Sequence, residues 1–199
     1  MIDLFEIAGF LDPALCDKLR AELQRAGGGA ATLLGRSPAT SVQPQIRKAT
    51  RVTVSDETQE RVTQLLRARK GALEEHFGLV LGDCEEPQFL RYETGDFFVA
   101  HQDGNTALIF DRSRLRRVSV VIFLSAQSEA PSPGTYGGGS LTLHGPYSGP
   151  ALRVPVTRAP GTLVAFRAET THEVMPVTHG ERFTIVSWYP CPAEESDGR

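Results

Sequence analysis

The sequence predicts a mainly β (α+β) fold: a double-stranded β-helix, or jelly roll, core with N-terminal supporting helices. Three observations point there. Two helical patterns occupy residues 12–78, eight short strand patterns follow from residue 87, and 19 glycines with 13 prolines supply the turns that so many strands need.

The first helix opens at Asp12-Pro13, an acidic cap followed by a proline at the first helical position. Leu15, Leu19 and Leu23 then recur at helical spacing, and Gly27-Gly28-Gly29 ends the run. Residues 30–50, rich in Gly, Ser, Pro and Thr, read as a mobile loop. Ser55-Asp56-Glu57 starts a second helix with Val62, Leu65, Leu66, Leu73 and Phe77 on its apolar face, and Gly78 stops it. Strand patterns fall at 87–94, 97–103, 116–125, 139–144, 151–156, 161–166, 170–176 and 181–189. The polar tail, 193–199, is expected to fray.

Two strands can be read face by face, because alternate side chains point to opposite sides. In 117–124, Val118, Val120, Ile122 and Leu124 form an apolar face suited to the helices; Arg117, Ser119, Val121 and Phe123 form the other. In 182–189, Phe183 and Ile185 share one face, while Arg182, Thr184, Val186 and Trp188 share the other. If the apolar faces meet the helices, Arg182 and Thr184 point into the barrel. A buried arginine is costly without an anion, so either a protein carboxylate or a bound one is expected there.

At 199 residues the chain suits one domain: helical support and loop over 1–86, the β core over 87–190, and a tail. A net charge of -3 gives no electrostatic case for nucleic acid or membrane as partner. No stretch approaches a membrane-spanning helix, and the N-terminus lacks the basic start and apolar run of a signal peptide. Cys16, Cys84 and Cys191 are widely spaced and read as reduced thiols, which places the chain in the cytoplasm.

The chemistry-bearing pattern is His101-Gln102-Asp103, with His172 and Arg182 downstream. On a strand, His101 and Asp103 share a face and can reach one ion, while Gln102 points away. With His172 from another strand, two imidazoles and one carboxylate leave three positions open on an octahedral metal, as in non-haem iron(II) oxygenases. A closed zinc site would fill four positions, usually with cysteines, and no Cys-x-x-Cys occurs. Alone, HxD also arises by chance.

The segment Arg91–Pro190 resembles the iron(II)/2-oxoglutarate-dependent dioxygenases of the prolyl 4-hydroxylase-like branch. RYETGDFFVAHQD (91–103) resembles the family's strand pair, with a tyrosine nine residues before the first metal histidine. RRVSVVIFLS (116–125) and YGGGSLTL (136–143) resemble its central hairpin. APGTLVAFRAETTHEVMPV (159–177) and THGERFTIVSWY (178–189) resemble the strands that carry the distal histidine and a basic residue ten positions later. The wording PVTHGER is similar to bacterial PKHD-type hydroxylases.

The resemblance implies iron(II) on His101, Asp103 and His172, with 2-oxoglutarate and O2 as co-substrates and ascorbate as a stimulant. It implies that Arg182 pairs with the distal carboxylate of 2-oxoglutarate, which a planar guanidinium grips through two hydrogen bonds. Tyr92 would hydrogen-bond within that pocket, and Thr184 could add a hydroxyl to the same carboxylate. Phe123 departs from relatives that place a tyrosine there, so Thr184 or Ser119 would have to supply such a contact. The carboxylate of Asp103 occupies the position that related halogenases leave for chloride, which favours hydroxylation.

Blander readings stand beside these. Arg182 could form a structural salt bridge, and Tyr92 and Trp188 could be core residues. His76 reads as a helix-end residue, and His144 and His179 as solvent-facing turn residues. Gly137-Gly138-Gly139 reads as a bulge or turn beside the metal. Two loops frame the site, 30–51 with Arg36, Arg47, Lys48 and Arg51, and 104–116 with Arg112, Arg114 and Arg116. By resemblance the substrate is a prolyl residue of a protein or peptide. A free amino acid, a small metabolite or a siderophore-like compound is the alternative. A nucleic acid is disfavoured, since no second arginine follows Arg182 in the last strand. A cupin-like metal module without oxygenase activity is the rival from another class; Arg182 argues against it.

Overall fold

The computed structural model describes residues 2–31, 43–145 and 152–192. The strands are β1 (Leu4–Ile7), β2 (Gly28–Ala30), β3 (Arg47–Lys48), β4 (Thr50–Val52), β5 (Gln88–Tyr92), β6 (Phe97–His101), β7 (Arg116–Phe123), β8 (Ala126–Gln127), β9 (Thr135–Gly138), β10 (Leu141–His144), β11 (Arg153–Val156), β12 (Leu163–Arg167), β13 (His172–Val174), β14 (Val177–Gly180) and β15 (Arg182–Pro190). The helices are α1 (Pro13–Arg25), α2 (Asp56–Arg67) and α3 (Lys70–Phe77). No helix among the described residues is long and apolar enough to cross a membrane.

Helix α1 starts as its sequence predicts: the Asp12 side chain accepts from the Leu15 amide at 2.8 Å, with Pro13 next. Glu22 of α1 ties it to the start of α2, accepting from Ser55 N at 2.8 Å and from Thr58 Oγ1 at 2.7 Å. The second predicted helix is two helices. The Arg69 amide bonds back to Leu66 O in a tightened turn, and the Tyr189 hydroxyl donates to that same carbonyl at 2.7 Å. A partner on the last strand thus satisfies a helix-end acceptor and lets the chain turn. Helix α3 ends at Gly78, in the left-handed conformation that ends many helices.

A seven-stranded sheet in the order β1-β12-β7-β15-β5-β4-β2 faces a five-stranded sheet in the order β11-β10-β13-β6-β3. Three further strands, β14-β9-β8, form a small sheet in which β8 and β9 run parallel. The helices cover the outer face of the larger sheet. Leu15, Leu19, Leu23, Val62, Leu66 and Leu73 form one core with Val118, Val120, Ile122, Leu124, Phe183 and Ile185, which are the faces expected. Between the sheets lies a second core of Val121, Phe123, Leu141, Leu143, Val156, Val164 and Phe166.

Several elements depart from the expectation. Strand β1 adds an unforeseen edge, pairing Leu4–Ile7 with Phe166–Leu163. The expected loop 30–50 contributes β3 and borders β2 and β4, which extend the two sheets; residues 32–42, Arg36 among them, lie outside the described residues. The expected strand 170–176 is shorter and is followed by β14, and Gly137 and Gly138 of the expected glycine turn belong to β9, paired with β14. The tail 193–199 also lies outside the described residues.

Candidate active site

Strands β6 and β13 are antiparallel neighbours in the smaller sheet, with His101 directly opposite His172. This pairing brings together residues that are far apart in sequence. Asp103 lies just beyond β6, where its amide bonds to Ala168 O at 2.9 Å. His101 Nε2 is 3.4 Å from Asp103 Oδ1, and His172 Nε2 is 3.4 Å from Asp103 Oδ2. One ligand atom from each of the three residues lies within 4.8 Å of the others.

Each imidazole is fixed from behind. His101 Nδ1 is 2.8 Å from Val99 O, and His172 Nδ1 is 2.9 Å from Thr170 O. A carbonyl only accepts, so each Nδ1 is placed to donate to it, and each Nε2 is left facing Asp103. Phe98 stacks on His101 with centroids 3.5 Å apart, and Phe166 meets His172 edge-on at 4.8 Å. Burial, and then the charge of His101, push the His172 imidazole down to about 4, against the pull of Asp103. Burial alone pushes the Asp103 carboxyl up. The His172 charge, the hydrogen bond and charge of His101, and the Arg116 charge outweigh it and hold Asp103 well below the usual carboxylate range. At neutral pH His172 is therefore neutral and Asp103 ionised, the states in which these two groups can bind a divalent cation.

From this trio a cavity of about 460 Å³ runs between the sheets and opens at the surface. At its inner end lies Arg182, 2% exposed and opposite Tyr92 across the β5–β15 ladder. Arg182 Nη1 donates to Thr184 Oγ1 at 3.2 Å. Its Nε is buried without a hydrogen-bond partner, and among the described residues no carboxylate pairs with its guanidinium. The Arg182 Cζ lies 5.2 Å from the Tyr92 ring centroid and 5.8 Å from that of Phe123. Of the two hydroxyls considered to stand in for a tyrosine at 123, Thr184 sits beside Arg182, whereas Ser119 turns to Asp103 Oδ2 at 2.7 Å. Gly139 takes a φ of +58°, and a Cβ there would lie 3.1 Å from Arg182 Cδ. Gly139 thus abuts Arg182 rather than His101 or His172.

Near the mouth, Glu85 grips Arg116 through two bonds, Nε to Oε1 at 2.7 Å and Nη2 to Oε2 at 2.6 Å. The Arg116 guanidinium lies 3.7 Å above the Trp188 ring. Trp188 is therefore buried, as expected of a core residue, but it also lines the cavity. Gln102 lines the cavity too, donating to Glu169 O at 2.7 Å, because the strand ends at His101 and its alternation lapses there. Of the loop cations, Arg47, Arg51 and Arg116 line the cavity, while Arg112 and Arg114 point to solvent. Lys48 pairs with Asp96 at 3.0 Å and Arg51 with Glu86 at 3.2 Å, so these charges are partly spent within the chain.

The remaining histidines lie apart from the site. His76 Nε2 meets Asp3 Oδ1 at 3.0 Å. His144 is not the free solvent-facing residue expected: it is half-buried, 3.0 Å from Glu173 Oε1. His179 departs as well, since its ring lies against Gly137, where a Cβ would collide with it, and its Nε2 is buried without a partner.

Residues 87–190 match the family described as the 2OG-Fe(II) oxygenase superfamily. Over 190 residues the chain is 28% identical to a PKHD-type hydroxylase of Burkholderia ambifaria, covering 93% of this chain and 77% of that protein. A second B. ambifaria PKHD-type hydroxylase is 35% identical over 103 residues, where the chain spans 41% of its length. Among solved structures, a Pseudomonas putida prolyl-4-hydroxylase aligns with a TM-score of 0.71 at 23% identity, covering 97% of this chain and 95% of that one. A Trichoplax adhaerens prolyl hydroxylase, in complex with a hypoxia inducible factor peptide fragment, aligns with a TM-score of 0.68 at 17% identity, covering 96% and 84%. At these identities the structural likeness establishes the fold, the double-stranded β-helix expected.

Proposed function

We propose that this chain, which belongs to the 2OG-Fe(II) oxygenase superfamily, hydroxylates a prolyl residue within a peptide or protein segment. Membership brings iron(II), 2-oxoglutarate and O2 as its cofactor and co-substrates. The observation that carries the reading is a single cavity with a nitrogen–nitrogen–carboxylate donor set and, further in, a buried guanidinium that no protein carboxylate among the described residues neutralises.

The residues fit the groups they would hold. His101, Asp103 and His172 would bind the iron, since two imidazole lone pairs and one ionised carboxylate converge and leave the cavity side open. Arg182 would bind the distal carboxylate of 2-oxoglutarate, with the Thr184 hydroxyl beside it. When bound, the metal and 2-oxoglutarate supply the oxidising chemistry, in which 2-oxoglutarate becomes succinate and CO2 while one oxygen atom enters a substrate C–H bond. The chain's part is to bind, orient and shield. Arg182 and Thr184 set the depth and direction of the co-substrate, and Leu90, Leu141 and Val174 make the inner cavity apolar and exclude water.

The mouth supports a substrate longer than the cavity. Leu108 and Phe110 line it yet are 78% and 64% exposed, an apolar lip suited to the residues flanking a reacting proline. The names of the related hydroxylases support the same substrate class. A small metabolite is the second reading, favoured by the cavity volume, which falls in the range of ordinary ligand pockets. Incubating the iron(II)-loaded protein with 2-oxoglutarate and a proline-rich probe peptide tests the choice. Succinate release matched by addition of one oxygen atom to a prolyl residue supports the proposal. Peptide-independent turnover that free proline stimulates transfers the assignment to the small-molecule reading.

A further inference from the structure

We propose that Ser119 is a positioning residue for the metal site, holding one oxygen of Asp103 so that the other is presented to the ion. The inference rests on the reading of His101, Asp103 and His172 as ligands. It adds a residue outside that set, on the opposite sheet.

Asp103 is the least anchored of the three. His101 and His172 sit within paired strands and have carbonyl acceptors behind their rings. Asp103 follows the end of β6 and leads into the exposed stretch 105–110. A carboxylate turns about a broad, roughly two-fold torsion. Without a clamp it could offer both oxygens to the metal or swing toward the mouth. Ser119 supplies the clamp at 2.7 Å. Its own position is rigid: it lies in the middle of β7, flanked by Phe166 of β12 and Trp188 of β15, and is 1% exposed. The bond therefore spans the cavity from the larger sheet to a residue just past the end of β6 in the smaller one. The hydroxyl is also the odd group in a run of valines, isoleucine and phenylalanine. A buried hydroxyl needs a hydrogen-bond partner, and here the partner is Asp103.

Outer partners of metal ligands commonly contribute about 10- to 100-fold in metal affinity. The test compares Ser119→Thr with Ser119→Val, which share a shape and differ in the hydroxyl. Manganese(II) affinity is measured without 2-oxoglutarate, by the paramagnetic signal of the free ion, together with the visible spectrum of the cobalt(II) form. We expect wild type and Ser119→Thr to bind alike, and Ser119→Val to bind about 10- to 100-fold more weakly with an altered cobalt spectrum. Metal-free melting temperatures of the two variants should match. Equal affinity of the Thr and Val variants, whether wild-type or weakened, overturns the role of the hydroxyl. If wild type itself binds neither ion, the ligand assignment falls, and this proposal with it. Wild-type binding beside an indifferent Val variant sinks the Ser119 proposal alone.

Discussion

Replacing Arg182 with methionine separates a co-substrate anchor from a structural ion pair, because the two roles predict opposite changes. The guanidinium is 2% exposed, lacks a carboxylate partner among the described residues and leaves Nε unbonded. Its internal contacts are one bond to Thr184 and two aromatic rings at 5.2 and 5.8 Å. Each ring contact is worth about 0.5–2 kcal/mol, and these gains offset the cost of burying an unpaired charge. Methionine fills similar space without the charge, so metal-free stability should change by no more than about 1 kcal/mol. Binding of 2-oxoglutarate should suffer far more. Truncating one partner of a buried, hydrogen-bonded charge pair costs about 2–5 kcal/mol. At about 1.4 kcal/mol per tenfold, this is a roughly 30- to 4,000-fold loss of affinity. The assay is calorimetric titration of the manganese(II)-loaded protein with 2-oxoglutarate, with thermal unfolding of the metal-free protein alongside. Wild-type affinity for 2-oxoglutarate with a loss of about 3–5 kcal/mol in stability would refute the reasoning, since that is how a broken structural pair behaves.

Three further outcomes are expected. His101→Ala and Asp103→Ala abolish succinate production from 2-oxoglutarate while keeping the wild-type circular dichroism; turnover in either variant removes that residue from the ligand set. Thiol labelling at neutral pH should modify half-buried Cys191 first. Burial, with Asp12 and Asp17 nearby, pushes Cys16 up to about 11, and burial raises Cys84 as well, so both should label only on unfolding. Mass spectrometry of the native protein checks this, and a Cys16 as reactive as Cys191 would contradict the packing of α1. Tyr189→Phe removes the bond to Leu66 O and should cost about 1–3 kcal/mol in urea unfolding, as a buried carbonyl loses a partner; an unchanged midpoint would show that the Arg69 amide alone satisfies it.

Local patterning made the centre of this protein legible. Alternation along 117–124 and 182–189 assigned helix-facing and cavity-facing residues. The structure keeps Val118, Ile122, Leu124, Phe183 and Ile185 against the helices and Val121, Arg182, Thr184, Val186 and Trp188 along the cavity. Val120 touches both, and Arg116 takes the cavity place expected of Arg117, where the register with β15 shifts. The spacing of His101 and Asp103 pointed to a shared site, but not through alternation: β6 ends at His101, Gln102 faces the cavity too, and the amide bond to Ala168 O places Asp103. Arg182 on an otherwise apolar strand calls for an anion. What escaped depends on long-range pairing. Nothing in LFEI shows that it will bond to β12, and nothing in 47–52 shows that a Gly- and Pro-rich stretch ends in strands of two different sheets. The break at Arg69 needs Tyr189, a residue more than a hundred positions away. Glu85 carries no signal until Arg116 lies on Trp188. Ser119 did carry one, as the hydroxyl on an apolar inward face, but its partner across the cavity could be found only in three dimensions.

The central claim, that the cavity binds iron and 2-oxoglutarate together, is tested most directly by titrating the iron(II)-loaded protein with 2-oxoglutarate without oxygen and recording visible absorption. The account predicts a weak charge-transfer band that saturates with 2-oxoglutarate and is absent from His172→Ala. Iron bound to the wild-type protein with no such band at any 2-oxoglutarate concentration would contradict it, leaving a metal-binding jelly roll in which Arg182 serves another purpose.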